Sequence, residues 1–142
     1  MSCDRRPRHA KRAFSLVEVM IVIVIIGLLA GMVTINVRSY LMKARQSTAR
    51  TEIATIAQAL GTFYATCGRY PTNEEGLDVL TKPTEKNPEP LLEGKITDPW
   101  GKPYLYISPG SSGPFEVISF GADGREGGEG ADADISSAHL KD

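Results

Sequence analysis

The most apolar stretch of the chain lies near its N-terminus and predicts a membrane-spanning helix over residues 14–37. Between residues 19 and 37 only Thr34 and Asn36 are strongly polar. At about 1.5 Å of rise per residue, these roughly 19 residues span nearly the ~30 Å hydrocarbon core of a bilayer. One acid, Glu18, lies at the start of this run. Because an ionised carboxylate is costly in hydrocarbon, Glu18 indicates a function or a partner.

A second apolar pattern follows and has the spacing of an amphipathic helix over residues 38–67. Its apolar positions are separated by four or three residues, which places them on one face of a helix. They are Ala49, Ile53, Ile56, Leu60, Phe63 and Cys67. We therefore predict that the membrane helix continues into a soluble domain, that this face packs on a core with Cys67 buried, and that Gly68 ends the helix.

The remaining residues, 68–142, predict a small globular domain. Turn-forming residues dominate 68–103, with one short helical candidate at 73–80. Residues 104–107 and 115–120 have the composition of strands, and the segment between them predicts a hairpin connection. Trp100 and Tyr104 are expected in the core. The predicted fold class is α+β, a long N-terminal helix packed on a small antiparallel sheet with a C-terminal loop.

Charge is divided unevenly along the chain and predicts its orientation in the membrane. Residues 1–13 hold five of the 16 basic residues and one of the 17 acidic residues, so they carry a charge of +4 and the remainder −5. By the positive-inside rule, residues 1–13 are cytoplasmic and the acidic C-terminal part lies across the membrane. A nucleic-acid partner is not expected.

The residues that could support catalysis are few, and they predict that the protein is not an enzyme. His9 and His139 lie near the two ends of the chain, and no serine or cysteine has a recognisable base partner. The chain contains no Walker-type phosphate loop, so it is not expected to hydrolyse a nucleoside triphosphate itself. A membrane-anchored enzyme or calcium-dependent binding module is the least favoured alternative.

An acidic, glycine-rich segment over residues 121–135 follows the second predicted strand. It contains five acids and one base, and it has little apolar surface to hold it in place. Composition leaves two alternatives, a solvated acidic loop or a loop whose carboxylates are gathered by a cation. Calcium suits such oxygen ligands, whereas the absence of nearby cysteine or histidine argues against zinc or copper.

Residues 11–18, KRAFSLVE, resemble the N-terminal signature of type IV pilins and pseudopilins. In that family a prepilin peptidase cuts on the cytoplasmic side before a phenylalanine and methylates the new amine. The resemblance implies that residues 1–13 are a cleaved leader, that cleavage falls between Ala13 and Phe14, and that Phe14 becomes N-methylphenylalanine. Ala13 stands where the family usually has glycine, and Ile35 where it commonly has proline.

Three further motifs, RYPT at 69–72, EGL at 75–77 and DPWGKPY at 98–104, resemble the major pseudopilins of type II secretion systems. The resemblance implies a type IV pilin-like fold and a single-pass protein of the bacterial inner membrane with a periplasmic domain. It also implies a major structural subunit that polymerises into a periplasmic pseudopilus and drives export of folded proteins across the outer membrane. A type IV pilin or a minor pseudopilin is the alternative.

Family resemblance also implies ligands for calcium in the acidic segment. They are the side chains of Asp123, Asp132 and Asp134, with backbone carbonyls of Phe120 and Arg125. The segment varies in length within the family, so Glu129 is the alternative to Asp132.

The same resemblance gives Glu18 a role in assembly. After cleavage, its carboxylate would pair with the amine of the preceding subunit, which neutralises two charges in a medium of low dielectric constant. Gly27 and Gly31 would allow close approach of helices. The implied partners are further copies of the chain, minor pseudopilins, the prepilin peptidase, the inner-membrane assembly platform, and membrane lipid before assembly.

Overall fold

The structure, a computed structural model, describes residues 14–140 apart from the side chains of residues 34–36. The predicted leader, its cleavage residue Ala13 and the last two residues of the chain lie outside this range. The chain divides into two compact units at the boundary between Ser39 and Tyr40. One long helix, α1 (Leu16–Cys67), contributes to both units.

In the first unit, the large apolar side chains are exposed. From Phe14 to Val33 their exposed fractions range from 48% to 79%. This part of α1 is long and apolar enough to cross a membrane, with a mean hydropathy of 2.9 over its most apolar stretch. Because apolar surface of this extent is strongly disfavoured in water, it requires lipid or other protein around it.

The second unit contains a three-stranded antiparallel sheet with the order β1, β2, β3. The strands are β1 (Leu105–Ile107), β2 (Glu116–Ser119) and β3 (Ile135–Ser136). Leu105 pairs with Ile118 across β1 and β2, and Ser119 pairs with Ile135 across β2 and β3. The predicted strands and hairpin are thus confirmed, with slightly shorter strands.

The core of this unit forms where one face of α1 meets the sheet. Ala49, Ile53, Ile56, Leu60 and Phe63 are all buried, which confirms the predicted apolar face. The sheet and the loops before it supply the remaining buried apolar side chains, which are Leu77, Leu80, Tyr104, Tyr106, Val117 and Ile135. Packing in this core aligns the C-terminal half of α1 with the strands and loops.

Two predicted core residues are less buried than expected. Cys67 is only partly buried because it is the last residue of α1, where the chain turns away at Gly68 with a φ of 75°. Trp100 is also partly buried and packs against the edge of the core. Tyr106, which the sequence did not single out, is buried and donates a hydrogen bond from its hydroxyl to the Pro71 carbonyl at 2.9 Å.

The predicted helix at residues 73–80 is wrong in its bounds and type. The structure has a 3-10 helix at Leu77–Thr81, preceded by a hydrogen-bonded turn. In that turn Glu75 accepts from the Thr72 backbone N–H at 2.8 Å, and the Thr72 hydroxyl accepts from the Glu75 N–H at 3.2 Å. These reciprocal bonds form a capping box for a single helical turn, in which the Gly76 N–H donates to the Thr72 carbonyl at 2.9 Å. The chain then leaves the α-helical conformation at Gly76, which has a φ of 57°.

The same turn carries a bidentate ion pair. Arg69 donates to both carboxylate oxygens of Glu75, at 2.6 and 2.8 Å. Together with the Thr72 N–H, this lowers the pKa of Glu75 from 4.5 to about 2. Because the folded-state pKa is depressed, the contribution to stability is present above the unfolded pKa and is lost as pH falls toward the folded value.

We therefore expect Glu75→Gln to remove one acid-dependent component of stability. The wild-type chain should lose stability relative to Glu75→Gln between about pH 4.5 and pH 2. Urea unfolding in detergent, followed by the fluorescence of Trp100, would measure the difference at each pH. Glu74→Gln is the matched control because Glu74 is exposed and, among residues 14–140, forms no ion pair. Parallel pH curves for wild type and Glu75→Gln would contradict this account.

Candidate functional site

The N-terminal end of α1 presents an exposed acid beside the predicted processing point. Phe14 and Ser15 precede the helix, and the first turn is closed by the Val19 N–H donating to the Ser15 carbonyl at 3.3 Å. Glu18 lies in this turn, where the helix dipole favours negative charge. In the described part of the chain Glu18 forms no ion pair, so its carboxylate is available to a cation from elsewhere.

Two glycines further along α1 leave its surface open to a neighbour. A methyl group placed on Gly27 or on Gly31 would meet no other atom within 4 Å. The two residues are four positions apart, so they lie on the same face of the helix. This geometry is compatible with close helix packing, as the sequence predicts.

In the second unit, called the head below, the DPWGKPY motif forms a network of hydrogen bonds around Asp98. This carboxylate is only 5% exposed. It accepts from the backbone N–H groups of Trp100 at 3.1 Å and Lys102 at 2.8 Å, and from the Ser119 hydroxyl at 2.8 Å. This network joins the turn to β2 and gives the buried Asp98 carboxylate three hydrogen-bond donors. It also fixes the position of Lys102.

The acidic segment is a hydrogen-bonded loop. The Gly124 N–H donates to the Phe120 carbonyl, and the Ala122 N–H donates to the Ala131 carbonyl, both at 3.1 Å. The loop then passes through a 3-10 turn at Gly130–Asp132 and enters β3. Backbone hydrogen bonds therefore form a turn at the start of the loop and join Ala122 to Ala131 near its end.

Two side chains outside the loop attach it to the rest of the head. The Lys102 ammonium donates to the Ala122 carbonyl at 2.9 Å, and it occupies the space that a side chain on Gly124 would fill. The Gln46 amide of α1 donates to the Gly130 carbonyl. Sequence reasoning missed both residues, because a glutamine on a helix and a lysine in a turn look like ordinary surface residues.

Glu116 is a third residue that the sequence did not identify. Its carboxylate accepts from the hydroxyl and the N–H of Ser111 at 2.6 and 3.1 Å, and from the Ser136 hydroxyl at 2.6 Å. The Ser111 and Ser136 hydroxyls lower the pKa of this carboxyl below its usual value. Glu116 thus links the β1–β2 connection to β3, the strand that follows the acidic loop.

The predicted calcium ligands lie in this loop, but they do not form a complete metal-coordination site. Asp123 accepts from the Arg125 N–H at 3.0 Å, and Asp134 accepts from the Gly127 N–H at 2.8 Å. Asp132 packs against Gly128. Within residues 14–140, no three acidic, histidine or cysteine side chains lie close enough together to hold a metal ion. The donors are nevertheless all oxygens, which is the chemistry that calcium prefers.

Comparison with known proteins identifies relatives along nearly the whole chain. Residues 36–138 match the family described as "Type II secretion system (T2SS), protein G", and residues 8–34 match "Prokaryotic N-terminal methylation motif". The type II secretion system core protein G of Pseudomonas aeruginosa is 40% identical over 137 residues, covering 92% of this chain and 96% of that protein. The Vibrio cholerae protein of the same name is 43% identical over 135 residues, covering 91% and 92%.

A solved structure shows the same fold. The crystal structure of the major pseudopilin from the type 2 secretion system of enterohaemorrhagic Escherichia coli matches with a TM-score of 0.57 and 27% sequence identity. The match covers 72% of this chain and 93% of that chain. The type IV pilin-like fold predicted from the sequence, a long helix packed on a small antiparallel sheet, is therefore confirmed.

Two glycines in the acidic loop provide a test of its packing. Gly121 and Gly130 have nearly equal φ values of 62° and 61°. A methyl group on Gly121 would lie 2.8 Å from the Asp132 carbonyl carbon, whereas one on Gly130 would meet nothing within 4 Å. We expect Gly121→Ala to lower the free energy of unfolding by about 1–3 kcal/mol more than Gly130→Ala, because only Gly121→Ala overpacks the loop.

Urea unfolding of the two variants, followed by Trp100 fluorescence, measures this difference. Gly130→Ala controls for the backbone strain that both substitutions share. Equal losses in the two variants would show that the close approach of Gly121 to Asp132 is not maintained in solution.

Proposed function

The chain belongs to the type II secretion system protein G family, and we propose that it is the major structural subunit of a pseudopilus. Such a subunit polymerises from the inner membrane and drives export of folded proteins across the outer membrane. One observation carries this proposal: the apolar side chains from Phe14 to Val33 are all exposed in the single chain. Lipid covers this surface before assembly, and neighbouring subunits cover it in the fibre.

Orientation in the membrane follows from the charge distribution. The leader carries +4 and the remainder of the chain −5, so residues 1–13 stay in the cytoplasm and the head lies in the periplasm. The subunit is thus a single-pass inner-membrane protein before assembly and part of a periplasmic fibre afterwards.

Processing prepares the end of α1 for assembly. A prepilin peptidase cuts between Ala13 and Phe14 and methylates the new amine, in keeping with the methylation motif at residues 8–34. Alanine has a small side chain and suits a narrow protease subsite. Cleavage leaves a positive charge on Phe14, four residues before Glu18.

Assembly depends on neutralising that charge. Glu18 in one subunit pairs with the Phe14 amine of the preceding subunit, and this removes two charges from an environment of low dielectric constant. The absence of an ion pair to Glu18 within residues 14–140 supports this step, because no described residue of its own subunit competes. Each pair also registers the added subunit against the one before it.

The role is structural and not enzymatic. Further copies of the chain and minor pseudopilins are the fibre partners, and the prepilin peptidase and the inner-membrane platform act on the subunit before assembly. The family match over residues 36–138 favours a major pseudopilin over a type IV pilin or a minor pseudopilin.

Calcium is the cation that we propose for the acidic loop. Asp123, Asp132 and Asp134 would hold it, with carbonyl oxygens of Phe120 and Arg125, and Glu129 is the alternative to Asp132. The ion would supply positive charge where five acids lie within 15 residues. The hydrogen bonds within the loop and the anchors from Lys102 and Gln46 already restrict the backbone, which lowers the entropy that binding must overcome.

The assembly proposal predicts that Glu18→Ala inserts and is processed but does not form fibres. Neutral alanine leaves the Phe14 amine of the neighbouring subunit without a counter-charge in the fibre. Electron microscopy of cells that overproduce the secretion machinery would count fibres. Glu18→Gln is the matched variant, because it keeps the size of the side chain and removes only the charge.

Mass spectrometry of the membrane-extracted protein supplies the control for this experiment. Wild type and both variants should give a chain that starts at N-methylated Phe14. Normal fibres from processed Glu18→Ala would refute the pairing model, and an intact leader on the wild type would refute processing at Ala13.

The calcium proposal predicts that a chelator lowers the melting temperature of the full chain in detergent. Asp123→Asn and Asp134→Asn should abolish this response, since each retains the oxygen that accepts a loop N–H but loses the charge that attracts the ion. Glu126→Gln in the same loop is the matched control and should respond like wild type. If chelator leaves the wild-type melt unchanged, the loop does not depend on calcium.

A further inference from the structure

The segment of α1 at residues 40–48 precedes the buried core and is exposed, apart from Gln46, which contacts the acidic loop. Ala49 is the first residue of the helix, among the described side chains, that is buried in the core. Before it, Tyr40 is 81% exposed, Leu41 53% and Met42 37%. Lys43 and Arg45 are exposed as well. The segment therefore presents both apolar and positively charged surface to its surroundings.

The charge in this part of the chain has a single sign. Between Glu18 and Glu52 the sequence contains four basic residues and no acid. They are Arg38, Lys43, Arg45 and Arg50. Positive charge is therefore present on the side of the membrane where the positive-inside rule favours little of it. An anionic partner close to the membrane would complement this charge.

Position along the helix identifies the membrane surface as that partner. Tyr40 follows the apolar span by three residues, and tyrosines at the ends of spans lie at the level of the lipid headgroups. From Tyr40, the rise to Lys43 is about 4.5 Å and to Arg45 about 7.5 Å. The headgroup layer is roughly 5–8 Å thick on each side of a bilayer, so both residues fall within or at the edge of it.

The direction of the side chains also favours contact between the two cations and the headgroups. In an α-helix the side chains lean toward the helix N-terminus, which here is the direction of the membrane. The long side chains of Lys43 and Arg45 therefore extend back toward the headgroups. Arg50 lies about 15 Å of helix rise beyond Tyr40 and is too far away to reach them.

We propose that Tyr40, Lys43 and Arg45 bind the anionic headgroups of phospholipids on the face of the membrane that carries the globular head. The proposal rests on the membrane insertion described under Proposed function, and it adds a lipid-binding surface to the unassembled subunit. These contacts hold the head at the membrane, and assembly has to replace them when a subunit enters the fibre.

An acidic surface of a second copy is the other occupant with complementary charge. The lipid surface is favoured because every inserted subunit brings this segment next to headgroups, whether or not another copy is present. The experiment must therefore be done without the assembly machinery and compared with fibre formation.

The test uses the full chain in nanodiscs that contain equal amounts of phosphatidylglycerol and phosphatidylcholine. Native mass spectrometry of the released protein measures how much of each lipid it retains. The double variant Lys43→Gln/Arg45→Gln should lose preference for phosphatidylglycerol by about 25-fold, since each basic residue near an anionic surface contributes about fivefold. The leader is common to all variants, so its own charge cancels in the comparison.

Arg50→Gln is the matched control, with the same change of charge on the same helix, and should retain the wild-type preference. An unchanged preference in the double variant would overturn the proposal, as would an equal loss in Arg50→Gln, which would show a dependence on total charge. Unchanged lipid preference with loss of fibres in the double variant would assign the two cations to a second copy. Failure of the proposed function itself would appear separately, as absence of fibres from the wild type.

Discussion

The apolar surface of the first half of α1 is the constraint on which the rest of the molecule depends. The chain folds its head around the second half of the helix and leaves the side chains from Phe14 to Val33 uncovered. A soluble monomer is therefore excluded by the hydrophobic effect, and two environments remain, lipid and other copies of the same helix. We propose that the single acid at the start of the apolar run, Glu18, sets the position of a subunit that exchanges one environment for the other.

In the head, side-chain hydrogen bonds hold the loops in place, because the strands are few and short. Only nine residues are in the three strands, so much of the order comes from carboxylates that accept several hydrogen bonds. Asp98 binds three donors and joins the DPWGKPY turn to β2, and Glu116 binds two serines and joins the hairpin to β3. Lys102 and Gln46 then attach the acidic loop to the turn and to α1. The loop is consequently ordered by the protein even though it has little apolar surface of its own.

The acids within residues 14–140 differ in how many hydrogen-bond or ion-pair partners their carboxylates have. Glu75 is held by Arg69 in a bidentate pair, and Asp98 and Glu116 are satisfied by donors from their own domain. Asp123 and Asp134 each accept one loop N–H and keep further oxygen lone pairs available. Glu18 has no ion-pair partner within the described residues. Carboxylates with several partners therefore stabilise the head, whereas those with few or none are the ones proposed to bind a cation or a neighbouring subunit.

The sequence by itself determined the features that depend on local periodicity and motif. The apolar run, the buried face of α1 from Ala49 to Phe63, the helix end at Gly68 and the β1–β2 hairpin all follow from spacing or turn chemistry, and the motifs identified the family. The tertiary structure alone decided the features that depend on distant contacts. The two-residue strand β3 is defined by its pairing with β2 and is too short to show a pattern of its own. Lys102 and Gln46 reach the acidic loop across 20 and 84 positions of sequence, and no local pattern reports a contact over such a separation.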